Sequence, residues 1–139
     1  MSDMTIKIIL ATAFLGAGAA AFLAMMTLMG RPGTAGDPAK LKRRHKIFGW
    51  LYVALLVPLV YLGADFIGEM GDGMSTRGVF HLVLAETLVA LLFLKLLVVR
   101  VFRGLLKSAT ALGMSLFALT LVIYLITAGF YLIQTVAAE

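Results

Sequence analysis

Four long apolar stretches alternate with short polar segments along the chain. The apolar stretches cover about 6–29, 47–67, 78–99 and 109–136. Each approaches or exceeds the roughly 20 residues that a helix needs to cross a hydrocarbon core about 30 Å thick. Backbone groups in lipid must be satisfied within the segment, and these stretches lack the alternation of a barrel strand. The pattern therefore predicts four transmembrane helices.

The connections between the apolar stretches are short, and short connections make successive helices antiparallel. We therefore predict an all-α integral membrane protein, a single membrane domain over residues 1–139, built as an up-down-up-down bundle of four transmembrane helices. On the first helix, the small residues Ala13, Ala17 and Ala21 recur at four-residue spacing. Such a ridge lets two helices approach closely, so we expect tight packing there.

Basic residues are concentrated in the first and third connections. The first connection contains Arg31, Lys40, Lys42, Arg43, Arg44 and Lys46, and the third is accompanied by Arg100, Arg103 and Lys107. The second connection ends at Arg77 and is otherwise acidic. Positively charged connections stay on the cytoplasmic side. The sequence therefore predicts a multi-pass protein of a prokaryotic cytoplasmic membrane with both termini on the outer side.

The composition narrows the classes of function further. Hydrophobic residues make up 62% and charged residues 14% of the chain, whereas soluble domains have about 45–50% and 25%. The chain has no cysteine, so disulfides, thiolate metal sites, iron–sulfur clusters and a catalytic thiol are excluded. The net charge is +5, and most of the basic residues lie in short connections between spans. We therefore expect a lipid bilayer and no nucleic acid as partner.

Ionisable side chains within the predicted spans are few, and each is a functional candidate because a charge in lipid costs about 2.5–3.5 kcal/mol. Glu86 lies inside the third span, and we expect it to face the bundle interior, where it would serve proton transfer or a quinone site. Lys95 lies one turn from a span end, where it can extend to the headgroups. Asp65 lies at the outer end of the second span, where water can reach it.

The two histidines are the main candidates for a cofactor site. His45 opens the second span and His81 the third, and a small residue, Gly49 or Ala85, follows each one turn later. A small neighbour leaves room for a flat macrocycle beside a ligating imidazole. The alternative is that His45 belongs to the basic interfacial cluster and that His81 only makes hydrogen bonds between helices.

The two imidazoles open successive antiparallel spans, so the helical rise places them about 20–25 Å apart. They cannot ligate one haem, and each iron would need a second ligand. That ligand would be a methionine, a water molecule or a histidine of a neighbouring protomer, which predicts a homo-oligomer. Several methionines are expected at the same depth in the membrane as one of the histidines. They are Met25, Met26 and Met29 for His45, and Met70 and Met74 for His81. Copper, zinc or no cofactor at all remain alternatives.

Two short motifs carry a family resemblance. The motifs are Arg77-x-x-x-His81 and Arg44-His45-Lys46-Ile47-Phe48-Gly49-Trp50. With them the chain resembles small bis-histidine transmembrane b-type cytochromes over roughly residues 43–133, and its layout is also similar to four-span proteins of haem-copper oxidase assembly. The resemblance implies heme b with His45 and His81 as iron ligands. Diheme members of the cytochrome group carry four ligating histidines, whereas this chain has two.

The function expected from these residues is membrane electron transfer. Heme b would be held by His45 and His81, with Arg44 and Arg77 pairing its propionates, and electrons would pass to or from quinol or a partner redox protein. This describes an electron carrier or complex subunit rather than a stand-alone enzyme. The alternative is a non-catalytic structural or assembly subunit of a larger membrane complex.

Overall fold

The computed structural model describes residues 3–30 and 36–137, and this part of the chain is almost entirely helical, with no strand. A π-helical segment, Leu125–Gly129, joins the last two α-helices into one continuous run. The α-helices are α1 (Asp3–Gly30), α2 (Pro38–Met70), α3 (Thr76–Arg100), α4 (Leu106–Tyr124) and α5 (Phe130–Ala137). Short 3-10 turns lie at Gly71–Gly73 and Arg103–Leu105.

Four helical runs are long and apolar enough to cross a membrane. They are Asp3–Gly30, Pro38–Gly73, Thr76–Arg100 and Arg103–Ala137. The predicted all-α class with four membrane-length helices is therefore confirmed, and lipid is the solvent that suits their apolar surfaces.

The start of α2 differs from the predicted span. The helix begins at Pro38, so the basic run of residues 40–46 is helical rather than part of a connection. An Asp37 carboxylate oxygen accepts a hydrogen bond from the Ala39 amide at 2.9 Å, and proline suits the first helical position. The rest of the predicted connection, residues 31–35 with Arg31, lies outside the described residues.

The helices form two compact units, one ending at Glu69 and one beginning at Met70. In the first unit, α1 and α2 are antiparallel, and the rings of Phe14 and Tyr52 stack with centroids 4.1 Å apart. Small residues of α1 are buried along this contact, namely Ala17, Gly18, Ala21 and Ala24. The predicted close packing is present, but Ala13 of the predicted ridge is exposed.

In the second unit, α3 packs antiparallel against the run formed by α4, the π segment and α5. The Arg77 guanidinium carbon lies 3.6 Å from the centroid of the Phe130 ring, at one end of the contact. Near the other end, the Lys95 Nζ lies close to Gly113. The side chain of Leu88, only 1% exposed, is at the centre of α3.

Six threonine hydroxyls within the helices are satisfied locally. Each donates to the carbonyl four residues earlier, a common arrangement for this residue in helices. The donors are Thr12, Thr27, Thr87, Thr120, Thr127 and Thr135. These hydroxyls therefore need no hydrogen-bond partner from a neighbouring helix.

Candidate functional sites at the two histidines

His45 lies on α2 with its ring half-buried against α1. Its Nδ1 is 2.8 Å from the carbonyl oxygen of Ala21. A carbonyl oxygen only accepts, so Nδ1 donates, and in the neutral ring Nε2 then carries no proton. Histidines that ligate metals usually donate their other ring N–H to a carbonyl or carboxylate in this manner. The contact therefore orients His45 with Nε2 available as a ligand.

Open space lies beside the residue one turn after His45. A Cβ added at Gly49 would meet no heavy atom within 4 Å outside its own helix, in the part of the chain that the structure describes. The neighbouring Arg44 side chain is exposed. The open space expected next to His45 is thus present on α2, and the positively charged Arg44 is its neighbour in the chain.

The methionines at the end of α1 are not level with His45. The hydrogen bond pairs His45 with Ala21, whereas Met25 lies one turn further along α1 and Met29 two turns further. At 1.5 Å per residue these offsets are about 6 and 12 Å. The expectation of a shared level is therefore wrong by one to two turns, because His45 lies closer to the middle of α1 than the loop length suggested.

His81 lies on the face of α3 that packs against the last helical run. His81, Leu88 and Lys95 are seven residues apart, so they lie on one side of α3. The His81 Nδ1 is buried and has no hydrogen-bond partner among the described residues. A buried polar atom without a partner is rare and costs free energy. This nitrogen therefore has no protein partner among the described residues that would compete for it.

The segment opposite His81 is the π-helical turn. Since Arg77 pairs with Phe130 and α3 is antiparallel to the last run, His81 is level with Leu125–Gly129, and Ala128 and Gly129 there are buried. A π turn inside an α-helix frequently marks a functional site. This turn was not predicted from the sequence, where its only signal is the Thr127-Ala128-Gly129 step.

The residues just before His81 are fixed in place. The Arg77 guanidinium stacks on the Phe130 ring one turn from the imidazole. Met74 packs over Gly78, where an added Cβ would lie only 2.8 Å from the Met74 Cγ. The Met74 side chain is therefore level with Gly78, three residues before His81, and its expected place at the level of the imidazole stays a prediction. Arg77 lies one helical turn before His81 on α3.

Glu86 is not part of the His81 site. Its side chain is exposed, and the expectation that it faces the interior is wrong in this structure. Glu86 and His81 are five residues apart, about 140° around the helix. The two side chains therefore leave α3 on different sides.

The remaining ionisable candidates do not form a cluster. Asp65 is exposed, and Lys95 is half-buried, with its Nζ 3.0 Å from the position of a Cβ added at Gly113. No group of three or more His, Cys, Asp or Glu among the described residues could hold a metal ion. His45 and His81 lie in different units, and each offers a single nitrogen ligand.

Comparison with known proteins gives no information on the function of this chain. Neither the protein-family models, nor the curated proteins, nor the solved structures contain a match to this chain. The function is therefore inferred from the surroundings of the two histidines and from the four membrane-length helices.

Proposed function

We propose that the chain is a membrane electron-transfer protein or subunit that binds b-type haem through His45 and His81 and exchanges electrons with quinol or a partner redox protein. The observation that carries the proposal is the 2.8 Å contact between the His45 Nδ1 and the Ala21 carbonyl. It fixes the tautomer in which Nε2 is free to ligate iron. When bound, haem supplies one-electron chemistry, and the chain positions it and adjusts its potential.

The surroundings of His81 support a second site. Its buried Nδ1 lacks a partner in the described chain, and a ligand or an ordered water would remove that cost. An imidazole binds iron through one ring nitrogen, Nδ1 or Nε2. The other ring nitrogen then forms a hydrogen bond.

Two arginines are suited to the propionates of haem. Arg44 is exposed beside His45, and Arg77 is held by Phe130 one turn from His81. A guanidinium can bind a carboxylate with two parallel hydrogen bonds. The second axial ligand of each iron is then a methionine, a water molecule or a histidine of a second protomer, and Met74 is the methionine nearest to His81 along the chain.

Glu86 retains its proposed role in proton transfer or quinone binding, but it would act from the exposed side of α3, away from His81. The orientation that we propose, with both termini outside a prokaryotic cytoplasmic membrane, rests on the basic residues of the connections.

An optical spectrum of the purified full-length chain, oxidised and then reduced with dithionite, tests the proposal. We expect a Soret band and sharp α and β bands on reduction. His45→Ala and His81→Ala should each remove part of the haem, and the double variant all of it. A featureless visible spectrum of protein produced with ample haem would refute the proposal, and loss of all haem in one single variant would contradict two separate sites.

A matched pair of glycine variants tests the site at His45 more closely. Neither Gly49 nor Gly63 on α2 would bring an added Cβ within 4 Å of another described atom outside the helix. Gly49→Leu should fill the space beside His45 and lower the haem-to-protein ratio, whereas Gly63→Leu should leave it unchanged. Equal haem content in the two variants would show that haem does not lie against Gly49.

The second candidate function is a non-catalytic structural or assembly subunit of a larger membrane complex. The observation in its favour is the shortness of the described connections, since only residues 71–75 separate α2 from α3 and 101–105 separate α3 from α4. Such connections leave little room for chemistry outside the membrane. A stable, helical protein without visible absorbance would favour this candidate.

A further inference from the structure

The first turns of α2 carry a dense group of cations. They are helical from Pro38 onward, and all five are exposed, namely Lys40, Lys42, Arg43, Arg44 and Lys46. Like charges three or four residues apart destabilise a helix, and cations near the start of a helix oppose its dipole. The neighbouring Asp37 carboxylate accepts the Ala39 amide. This group, which we call the basic segment, therefore carries an unbalanced positive charge that a bound anion would offset.

The inner part of the basic segment lies at the depth of lipid headgroups. α2 has 33 residues and is about 50 Å long, whereas a hydrocarbon core of about 30 Å takes about 20 residues. The apolar residues 47–67 match that core, so the basic segment projects beyond it. The headgroup layer on each side is about 5–7 Å thick. Lys46 and Arg43 fall within that layer, whereas Lys42 and Lys40 lie about 6 and 9 Å further out than Lys46.

Two of these cations share a face of α2 with the only tryptophan of the chain. Arg43, Lys46 and Trp50 fall within about 60° of one another on the helix, and Trp50 is 51% exposed. This face points away from α1, since Arg43 lies about 160–180° around the helix from His45 and Tyr52, which contact α1. Cβ atoms three residues apart in a helix are about 5–6 Å apart. One phosphate can therefore contact both Arg43 and Lys46.

No described part of this chain supplies the missing negative charge. Helices that cross the bilayer in succession alternate in direction, so the second unit brings a further basic connection to this side, with Arg100, Arg103 and Lys107. The described carboxylates other than Asp37 lie toward the opposite side or inside a span, namely Asp3, Asp65, Glu69, Asp72 and Glu86. This distribution of charge is the same for every arrangement of the two units, and a second copy inserted with the same topology would add the same cations. The anion therefore comes from another molecule.

We propose that Arg43 and Lys46 bind the phosphate of an anionic phospholipid, whose acyl chains lie along Trp50 and the exposed residues that follow it. A guanidinium binds a phosphate with two parallel hydrogen bonds, and a lysine adds a point charge. Basic residues next to a transmembrane helix attract anionic lipids, which are concentrated in the cytoplasmic leaflet. A zwitterionic headgroup carries a cation of its own, so it balances the two side chains less well. Beyond Trp50, the same face continues with the exposed residues Ala54 and Val57.

The lipid site is separate from the haem proposal. Neither Arg43 nor Lys46 is proposed to hold haem, and Arg44, which is proposed to pair a propionate, is not needed for the lipid site. A chain without haem would still bind the lipid. The two proposals can therefore fail separately.

Native mass spectrometry of the full-length chain tests the lipid site, with the chain released from nanodiscs that contain equal amounts of phosphatidylglycerol and phosphatidylcholine. Retained lipid and retained haem add different masses, so one spectrum reads both separately. We expect phosphatidylglycerol to be retained in preference to phosphatidylcholine. Arg43→Gln combined with Lys46→Gln should lower that preference by about five- to twenty-five-fold, since one cation at the membrane surface contributes about a factor of five.

Two further double variants serve as controls. Lys40→Gln combined with Lys42→Gln removes the same charge from the outer part of the basic segment, and it should change the preference by less than about two-fold, because those side chains lie at or beyond the outer edge of the headgroup layer. Arg43→Lys combined with Lys46→Arg keeps both charges and should preserve the preference. Circular dichroism of each variant checks that the helices are retained. No preference in the unmodified chain, equal losses in the two glutamine variants, or a loss in the charge-preserving variant would each overturn the proposal.

Discussion

Tyr52 and Tyr61 show how differently one residue type is used on α2. Tyr52 is 6% exposed and stacks on Phe14, whereas Tyr61 is 73% exposed. They are nine residues apart, which places them on opposite sides of the helix. Hydropathy assigns them equal values, so only the packing separates a structural tyrosine from a peripheral one.

Replacement of these tyrosines should have unequal effects on stability. Tyr52→Ala removes the stacked ring and leaves a cavity against α1, so we expect a loss of about 2–4 kcal/mol in the free energy of unfolding. Tyr61→Ala, the control, should change it by less than about 0.5 kcal/mol. Unfolding by added SDS in mixed micelles, followed by far-UV circular dichroism, measures both. Similar losses for the two variants would contradict the packing of Phe14 on Tyr52.

The candidate site was predictable at the level of residue type. His45 and His81 are the only histidines of the chain, so they are the obvious candidates for imidazole ligands. The partner of His45 was not predictable, because the Ala21 carbonyl is a backbone group and an alanine side chain gives no signal of it. The unsatisfied Nδ1 of His81 likewise depends on what packs around it.

At the scale of the elements, the π segment places a glycine close to the helix backbone. A Cβ added at Gly129 would lie 3.3 Å from the Tyr124 carbonyl oxygen, which belongs to the helix backbone and cannot easily move. A Cβ added at Gly113 would lie 3.0 Å from the Lys95 Nζ, the tip of a flexible side chain. The two contacts are similar in length but differ in how readily they relax.

We therefore expect Gly129→Ala to destabilise the protein by about 1 kcal/mol more than Gly113→Ala. The same SDS titration measures the difference. If the two variants unfolded together, the turn at Leu125–Gly129 would accommodate a side chain, and its geometry would not require glycine.

The ends of the helices were predicted less well than their existence. The predicted second span begins at residue 47, but α2 begins at Pro38, because lysine and arginine are good helix formers that a hydropathy pattern does not register. Asp37 and Pro38 were the local signal for the earlier start. The π segment has no comparable sequence signal, since apolar residues continue through it.

At the scale of the whole molecule, the distribution of charge predicts the topology. Lys40 lies in the basic helical start of α2, and Asp72 lies in the acidic turn between α2 and α3; both are exposed. The positive-inside rule predicts that the first is cytoplasmic and the second external. Both termini would then lie outside.

Single cysteines test this topology in intact cells. Asp72→Cys should react with an impermeant thiol reagent added outside, whereas Lys40→Cys should react only after the membrane is permeabilised. Each variant serves as the control for the other, because the chain supplies no competing thiol. Labelling of position 40 alone in intact cells would reverse the orientation.

The sequence alone determined the four membrane-length helices. In lipid, backbone groups must be satisfied within each span, so the length of an apolar run is sufficient to define a helix. It also determined which ionisable residues enter the membrane, since so few occur there.

Only the tertiary structure decided which way those residues face. The spans are apolar on nearly every side, so no amphipathic pattern distinguishes a packed face from a lipid-facing one. Contacts decided it instead: the face of α3 with Leu88 packs on the last helical run, and Glu86 is consequently exposed. The orientation of His45 was decided in the same way, by how far α2 reaches along α1 before its ring meets Ala21.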